Sequence, residues 1–322
     1  MRLLKNDDYQ LIERIVGATQ KELLHTLHKY LQDKYKNVIK TKDYIVAVGD
    51  IPIALVAHLD TVFAKPVKHL YYDQRKSVMW SSEGLGADDR AGVFAIIKII
   101  QSGLRPSIIF TTDEEKGGLG AEVLSKQPCP IPNLKYMIQL DRRGTNDCVF
   151  YDCYNPDFIH YIEAFGFVEA FGSFSDISWL MPAWKICGVN LSVGYEDEHS
   201  YSETLCVSAL YDTIDKVKNM LKAVNIPTFE YKDLSAYPYV GWSYTGTQGR
   251  TDYGAHCAGC HNLFSEFELI PTKAANGGVK FYCPDCVTEH VNWCNYCGEP
   301  YERTDYSKKD MCPDCEEAKA NV

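Results

Sequence analysis

The sequence predicts an α/β protein with a mostly parallel mixed sheet and helices on both faces, followed by a small cysteine-rich module. Strand-like and helix-like apolar patterns alternate up to about residue 226, whereas eight of the 13 cysteines lie after residue 256. At roughly 150 residues per domain, 322 residues allow about two domains. We therefore expect a layered α/β domain over 1–226 and a separate module over 255–322.

The first predicted element is an amphipathic helix from residue 7 to about 36, because leucines and isoleucines recur there near helical spacing. Strand-like runs rich in β-branched and apolar residues follow, at 43–48, 53–57, 107–111, 136–140 and 185–193. Helical patterns lie at 90–101, 155–165 and 202–221. Strands that alternate with helices predict a layered domain with a largely parallel sheet.

Residues 227–254 lack this periodicity and are rich in aromatic residues and glycine. We interpret them as a linker between the two parts. Two roles are open for its rings: they lie against one of the domains, or they form a docking strip for a partner.

Charge and hydropathy exclude several classes of protein. The 33 basic and 43 acidic residues give a formal net charge of −10, so generic nucleic-acid binding is disfavoured. The first nine residues carry four charges and no apolar run of signal-peptide length. The longest strongly apolar segment, 91–100, is far shorter than the roughly 20 residues that cross a bilayer. We expect a cytoplasmic protein without a membrane span, whose cysteines stay reduced.

Acidic and histidine residues stand where predicted strands end, which is where ligands bind in open α/β sheets. Five segments share this feature: His-Leu-Asp-Thr-Val at 58–62, Gly-Ala-Asp-Asp-Arg-Ala-Gly at 86–92, Thr-Asp-Glu-Glu at 112–115, Leu-Asp-Arg-Arg-Gly at 140–144 and His-Ser-Tyr-Ser-Glu at 199–203. Imidazole and carboxylate groups suit Zn²⁺. Two ions about 3.5–4 Å apart can share one water, lower its pKa and polarise a carbonyl, while a spare carboxylate serves as base.

In their order, these segments resemble the co-catalytic di-zinc exopeptidase superfamily, which includes leucyl-type aminopeptidases, peptidase T-like tripeptidases, glutamyl aminopeptidases and related deacylases. The resemblance covers about residues 50–222. It implies a set of metal ligands in which His58 and Asp141 bind one zinc, Glu115 and His199 bind the other, and Asp88 bridges both.

The resemblance also implies roles beyond the ligands. Glu114 would be the general base that takes a proton from the bridging water, and Asp60 would orient the site. Asp176 would support the site from outside the ligand set, and the bond from Asp88 to Asp89 would be a cis peptide. The spacings leave no room for the extra domains of the glutamyl and peptidase T branches, so a minimal single-domain hydrolase is expected.

Two charged groups can set the polarity of the substrate. The acidic run 196–198 can hold an amine, and Arg142 or Arg143 can hold a carboxylate. The alternative for both groups is ordinary surface charge.

The cysteines of the tail form four Cys-x2-Cys pairs. Each pair offers two thiolates, so the eight close two tetrahedral structural zinc sites without a water position. The eight predicted ligands are Cys257, Cys260, Cys283, Cys286, Cys294, Cys297, Cys312 and Cys315. The repeated Cys-Pro-Asp-Cys favours two zinc ribbons in series, and interleaved ligands are the alternative. From residue 250 onward seven basic residues face 12 acidic ones, so a protein partner, substrate delivery or a structural role is expected rather than nucleic-acid binding.

Together these patterns predict a zinc-dependent hydrolase that cleaves an amide bond in a peptide or an acyl-amino compound, with aminopeptidase as the leading hypothesis. It would carry two catalytic divalent ions, expected to be Zn²⁺, and two structural Zn²⁺ ions. A carboxypeptidase or deacylase is the alternative within the superfamily. A non-catalytic zinc-ribbon adaptor with an inactive hydrolase fold is the alternative of another class.

Overall fold

The computed structural model describes residues 4–153, 155–170, 172, 174–232, 255–260, 263–264, 269–273, 279–295, 300–303, 311–312, 315 and 319. Its contacts divide the chain into two compact units, Met1–Ser243 and Tyr244–Val322.

The first unit is built on an eight-stranded mixed sheet. The described strands of the whole unit are β1 (Asn37–Lys40), β2 (Tyr44–Val48), β3 (Ile51–His58), β4 (Tyr71–Asp73), β5 (Val78–Trp80), β6 (Pro106–Thr111), β7 (Tyr136–Arg142), β8 (Asp147–Val149), β9 (Val168–Glu169), β10 (Gly188–Ser192), β11 (Tyr195–Glu196) and β12 (Thr204–Cys206). The order in the large sheet is β1-β2-β6-β3-β7-β10-β8-β9. The four central strands, β6, β3, β7 and β10, are parallel, which confirms the predicted sheet.

A second, smaller sheet was not predicted from the sequence. It has the order β11-β12-β5-β4, and all of its pairings are antiparallel. Its strands are two or three residues long, too short to show a period of two. β12, the strand that follows the loop after β11, pairs with β5.

The described helices of this unit are α1 (Asn6–Val16), α2 (Gln20–Gln32), α3 (Ala87–Gln101), α4 (Leu119–Ser125), α5 (Pro156–Glu163), α6 (Asp176–Trp184) and α7 (Val207–Leu221), with a 3₁₀ turn at Glu114–Lys116. The prediction of one opening helix is wrong, because two helices occupy that segment. Gly17 ends α1, and Thr19 begins α2 with a capping box in which its side chain and that of Glu22 bond each other's backbone N–H. Among the described helices, none is long and apolar enough to cross a membrane.

The core of the first unit surrounds the parallel strands. Every residue of β6 is buried, and so is nearly all of α3, which packs on β3 and β7. Arg90, in the first turns of α3, donates hydrogen bonds to the backbone oxygens of Ile15 and Ala18 at 2.6 and 2.9 Å, and so joins α3 to the turn between α1 and α2. Since β3, β6 and β7 run parallel, their carboxyl ends lie at one edge of the sheet.

The segment that follows the predicted boundary at residue 226 packs on the first unit where it is described. The Phe229 ring lies 4.9 Å from that of Phe158 and 5.4 Å from that of Tyr161, between ring centres. Residues 233–254 lie outside the described part of the chain, so the linker and its docking strip stay predictions.

The second unit is a small β-rich module. Its described elements are β13 (Ala255–His256), β14 (Leu263–Phe264), β15 (Ile270–Lys273), β16 (Val279–Tyr282), α8 (Pro284–His290), β17 (Val291–Trp293) and β18 (Pro300–Glu302). β13 and β14 form a two-stranded sheet, and the other strands form a sheet of order β16-β15-β18-β17. Cys257 and Cys283 lie in one small buried cluster, and Cys294 and Cys312 in another.

Candidate metal centre

The polar segments predicted from the sequence come together at the carboxyl edge of the large sheet. His58 ends β3, Asp141 is the penultimate residue of β7, and Glu114 and Glu115 form the 3₁₀ turn after β6. Asp88 lies at the start of α3. His199, from the loop between β11 and β12, completes the group, with its backbone in the left-handed region at a φ of 63°.

One cluster consists of His58, Asp88 and Asp141, all of them buried. The Nε2 atom of His58 lies 3.0 Å from Oδ1 of Asp88 and 3.6 Å from Oδ1 of Asp141. These three side chains each offer one donor atom within 4.8 Å of the others, which a single divalent ion can use.

A second cluster consists of Asp88, Glu115 and His199. The Nε2 atom of His199 lies 3.0 Å from Oε2 of Glu115 and 3.2 Å from Oδ2 of Asp88. Asp88 therefore turns one carboxylate oxygen toward each histidine. The predicted bridging residue stands between the two groups that the sequence assigned to separate ions.

Glu114 and Asp60 lie beside the clusters. The Oε2 atom of Glu114 is 3.9 Å from Nε2 of His58, and Oδ1 of Asp60 is 3.2 Å from Nδ1 of His58. Asp60 accepts hydrogen bonds from the backbone N–H of Glu114 at 3.0 Å and of Glu115 at 3.1 Å. A single carboxylate thus lies beside the histidine of one cluster and accepts hydrogen bonds from the turn that supplies the other.

Asp141 is held by residues that sequence reasoning missed. Its Oδ2 accepts hydrogen bonds from Ser175 and Gln139, each at 3.0 Å, and its Oδ1 accepts one from the Tyr195 hydroxyl at 3.1 Å. Asp176, expected to support the site, is buried and accepts a 2.5 Å hydrogen bond from Thr111. Of the neighbours Ser175 and Asp176, the serine is therefore the one that touches a predicted ligand.

Crowding and burial shift the pKa values of these carboxyl groups. Burial, reinforced by Asp88, raises the pKa of Asp141 to about 6 and that of Glu115 to about 7. Burial also raises the pKa of Glu114 to about 9; His58 opposes that shift and Asp141 adds to it. Burial works in the same direction on Asp88, but hydrogen bonds from His199 and His58 keep its pKa below the ordinary value.

This donor set fits divalent cations. Several carboxylates converge on two imidazoles, and among the described residues Oε1 of Glu115 is buried without a hydrogen-bond partner. Positive charge between the carboxylates would relieve their mutual repulsion. The bond from Asp88 to Asp89 is cis, as the resemblance implied.

The two charged groups that were suggested to set the polarity of the substrate form an ion pair with each other. Nη1 of Arg143 lies 3.2 Å from Oε1 of Glu198, and both residues are near the loop that carries His199. The side chain of Arg143 is about half exposed. The ion pair leaves both interpretations, substrate recognition and surface charge, as predictions.

In the second unit the described cysteines form two groups in the arrangement expected for two zinc ribbons in series. Cys257, Cys260, Cys283 and Cys286 form one group, and Cys294, Cys312 and Cys315 form another; the fourth predicted member of the second group, Cys297, lies outside the described residues. The Sγ atom of Cys257 accepts backbone N–H bonds from Gly259 at 3.4 Å and Cys283 at 3.3 Å. Burial opposes ionisation of the Cys257 thiol, yet these N–H groups lower its pKa to about 6, which suits a thiolate ligand.

Comparisons with known proteins agree with this geometry. Residues 37–164 match the sequence profile of peptidase family M28, a match that includes every predicted ligand of the first unit except His199. No curated protein sequence matches the chain significantly.

Solved structures share the fold at low identity. A tripeptidase from Staphylococcus aureus is 14% identical with a TM-score of 0.53, over 68% of this chain and 98% of that one. The aminopeptidase PepT from Bacillus cereus is 14% identical with a TM-score of 0.51, over 67% and 97%. A TET aminopeptidase from a marine sediment archaeon of the Thaumarchaeota is 12% identical with a TM-score of 0.54, over 69% and 98%. At these identities the likeness establishes the fold.

Proposed function

Because residues 37–164 are a peptidase family M28 domain of the co-catalytic zinc exopeptidase superfamily, we propose that the chain is a zinc-dependent, aminopeptidase-like hydrolase of amide bonds. The observation that carries the proposal is the position of Asp88. Its two carboxylate oxygens lie 3.0 Å from His58 and 3.2 Å from His199, so it joins the two candidate metal clusters into one centre.

In this proposal each residue of the centre has one task. The residues that would hold the two ions are His58, Asp88, Asp141, Glu115 and His199, and the ions would lower the pKa of a bound water and polarise the carbonyl of the substrate. Glu114 takes the proton of the attacking water and returns it to the leaving amine. In the metal-free site burial and acidic neighbours raise the pKa of Glu114, and two nearby cations would lower it again, so that the ionised carboxylate is available as the base.

A cavity of about 480 Å³ beside the centre offers room for the substrate. Asp60 and Glu115 lie on its wall, together with apolar side chains that include Val16, Phe63 and Leu85. This volume and lining suit one or two residues of a peptide. The aminopeptidase polarity is supported by the names of the structures that share the fold, a tripeptidase and two aminopeptidases.

The remaining assignments are part of the same proposal. The tail holds two structural Zn²⁺ ions in series, one on Cys257, Cys260, Cys283 and Cys286 and the other on Cys294, Cys297, Cys312 and Cys315. The chain divides into a hydrolase domain, a linker and a ribbon module, and it works in the cytoplasm. A protein partner that binds the tail is the proposed role of that module.

The test uses the full chain, loaded with Zn²⁺, and short peptides with free or blocked ends. We expect stepwise release of the first residue, no reaction when the amine is acetylated, and no effect of a blocked carboxyl end. Glu114→Gln should abolish turnover with both ions retained, whereas Glu122→Gln should leave turnover unchanged. Glu122 is a fair control because its carboxylate pairs with Lys126 on the partly exposed helix α4.

Other outcomes identify the alternatives. Trimming from the carboxyl end indicates a carboxypeptidase, and release of an acyl group from an acyl-amino compound indicates a deacylase. Retained ions without turnover on any of these substrates would favour the inactive adaptor.

A further inference from the structure

Glu203 is a buried carboxylate that no step above uses. It is fully buried and lies four residues after His199, in the loop that leads into β12. Its Oε2 accepts a hydrogen bond from the backbone N–H of Gly86 at 2.5 Å, and its Oε1 accepts one from the backbone N–H of Asp88 at 3.0 Å. The side chain thus reaches the segment that presents the bridging carboxylate, 115 residues away in sequence.

The N–H groups that Glu203 binds have no partner within their own helix. Asp88 and Asp89 have non-helical backbone dihedral angles, so the regular turns of α3 begin after them, and these buried N–H groups need an acceptor from elsewhere. Gly86 has a φ of 63°, and a Cβ there would lie 2.9 Å from Oγ1 of Thr61, so this turn has little freedom to move.

The backbone of Glu203 is fixed to the loop that carries His199. Its N–H donates to the oxygen of Ser200 at 3.2 Å, and the next residue, Thr204, pairs with Trp80 of β5 in the small sheet. His199 itself has a left-handed backbone, a conformation that costs energy and persists where the surroundings impose it. The loop is therefore held at its end by the same residue that binds the start of α3.

We propose that Glu203 is a positioning residue for the cluster of Asp88, Glu115 and His199. Its carboxylate fixes the backbone of Asp88, and its own backbone fixes the His199 loop. Together these two connections keep the 3.2 Å separation between Asp88 Oδ2 and His199 Nε2. The inference rests on the proposed function, since it assumes that this cluster holds one of the two ions.

Two substitutions separate this role from simple structural support. Glu203→Gln keeps the size of the side chain, but its NH₂ group faces an N–H that needs an acceptor. Glu203→Asp keeps the charge but is one methylene short of Gly86 and Asp88. The matched control is Asp8→Asn. Asp8 is also a buried carboxylate, and it accepts hydrogen bonds from Lys98, at the other end of α3, and from Tyr211.

The experiment measures zinc retained by the full chain at a series of buffered free Zn²⁺ concentrations, with melting temperature recorded in parallel. In the unaltered protein we expect two weakly held ions beyond those of the tail thiolates. Both Glu203 variants should release one ion at about 10- to 100-fold higher free Zn²⁺ than the unaltered protein. Asp8→Asn should lower the melting temperature with its release midpoints unchanged.

The outcomes distinguish the two proposals. If the Glu203 variants melt earlier but release zinc at the midpoint of the unaltered protein, Glu203 is only structural and the inference is wrong. If the unaltered protein retains only its thiolate-bound ions, the proposed function fails, and the inference fails with it. If Glu203→Gln does not fold, Glu203→Asp decides by the same midpoints.

Discussion

The two units use metal-binding side chains in opposite ways. In the first unit, His58, Asp88 and Asp141 lie at the edge of a sheet whose central strands are already buried in a large apolar core. In the second, the described core consists of small clusters in which cysteines are themselves members, such as Cys257 beside Leu269. A fold that is stabilised by a large apolar core can tolerate the mutual repulsion of several carboxylates at one site. In the proposed function, a module with little core needs its structural Zn²⁺ ions in order to fold.

The largest expected effect is the unfolding of the tail when its metal is removed. Cys283 is buried at the centre of one cysteine group, and structural zinc contributes about 10–16 kcal/mol to folding in small zinc domains. Cys283→Ser, or a strong chelator, should make residues beyond 255 susceptible to protease while the first unit resists. Cys129→Ser is the control, because Cys129 lies outside both groups. A tail that resists protease without metal would remove the contrast between the units.

The second effect is on chemistry without loss of fold. Asp88→Ala removes the residue shared by both clusters, so turnover should fall by about 10²- to 10⁴-fold, equivalent to several kcal/mol of transition-state stabilisation. The melting temperature of the metal-free protein should fall modestly, because Asp88, although its burial opposes ionisation, is paired with His199 and His58, which hold its pKa below the ordinary value. Melting curves recorded with chelator test this. An unchanged or higher melting temperature of the metal-free first unit would contradict this pairing.

Both predictions change a metal ligand that was identified from the sequence. For the first unit, the reason that the sequence revealed the ligands is geometric. His58, Asp141, Glu114 and Glu115 directly follow or end strong apolar runs, so their place at the sheet edge followed from the parallel topology. Glu203 lies in the segment 199–203 that the sequence marks, but its role was missed because its partner is 115 residues away. Tyr195 was missed because its partner is 54 residues away and no local pattern marks it. Their contacts depend on the small sheet, which is too short to predict.

The third effect is a modest loss of stability in the first unit. Asp8 accepts hydrogen bonds from Lys98 and Tyr211, and Asp8→Asn should cost about 1.5–3 kcal/mol at neutral pH. Burial opposes ionisation of Asp8, yet these partners hold its pKa below the ordinary value of 3.8. The carboxylate therefore stabilises the fold fully above pH 3.8, and this stabilisation is lost as the pH falls through the lowered pKa.

Chemical denaturation between pH 7 and pH 2 measures the difference between the unaltered protein and Asp8→Asn. That difference should be constant down to about pH 5 and should shrink in acid. Asp33→Asn, at an exposed position after α2, should show little difference at any pH. A difference that grows in acid would contradict the assigned sign.

The smallest expected effect is on substrate preference. Phe63 lines the cavity, and its ring centre lies 5.6 Å from that of the exposed Tyr201. Phe63→Ala should raise the KM for peptides with large apolar side chains about 2- to 10-fold, with kcat and melting temperature nearly unchanged. Tyr71→Ala is the control, since that ring stacks on Trp80 in the small sheet and is not part of the cavity wall. Equal KM changes in both variants would count against the cavity as the substrate site.

The centre is contributed by residues spread from His58 to His199 along the chain, and this has a consequence during synthesis. Once residues 1–164 have emerged from the ribosome, the whole segment that matches family M28 has been synthesised, yet this nascent chain lacks His199 and Glu203. The second cluster cannot form until the β11–β12 loop has emerged. Under the proposed function, hydrolysis of a peptide would therefore begin only after that loop has been synthesised.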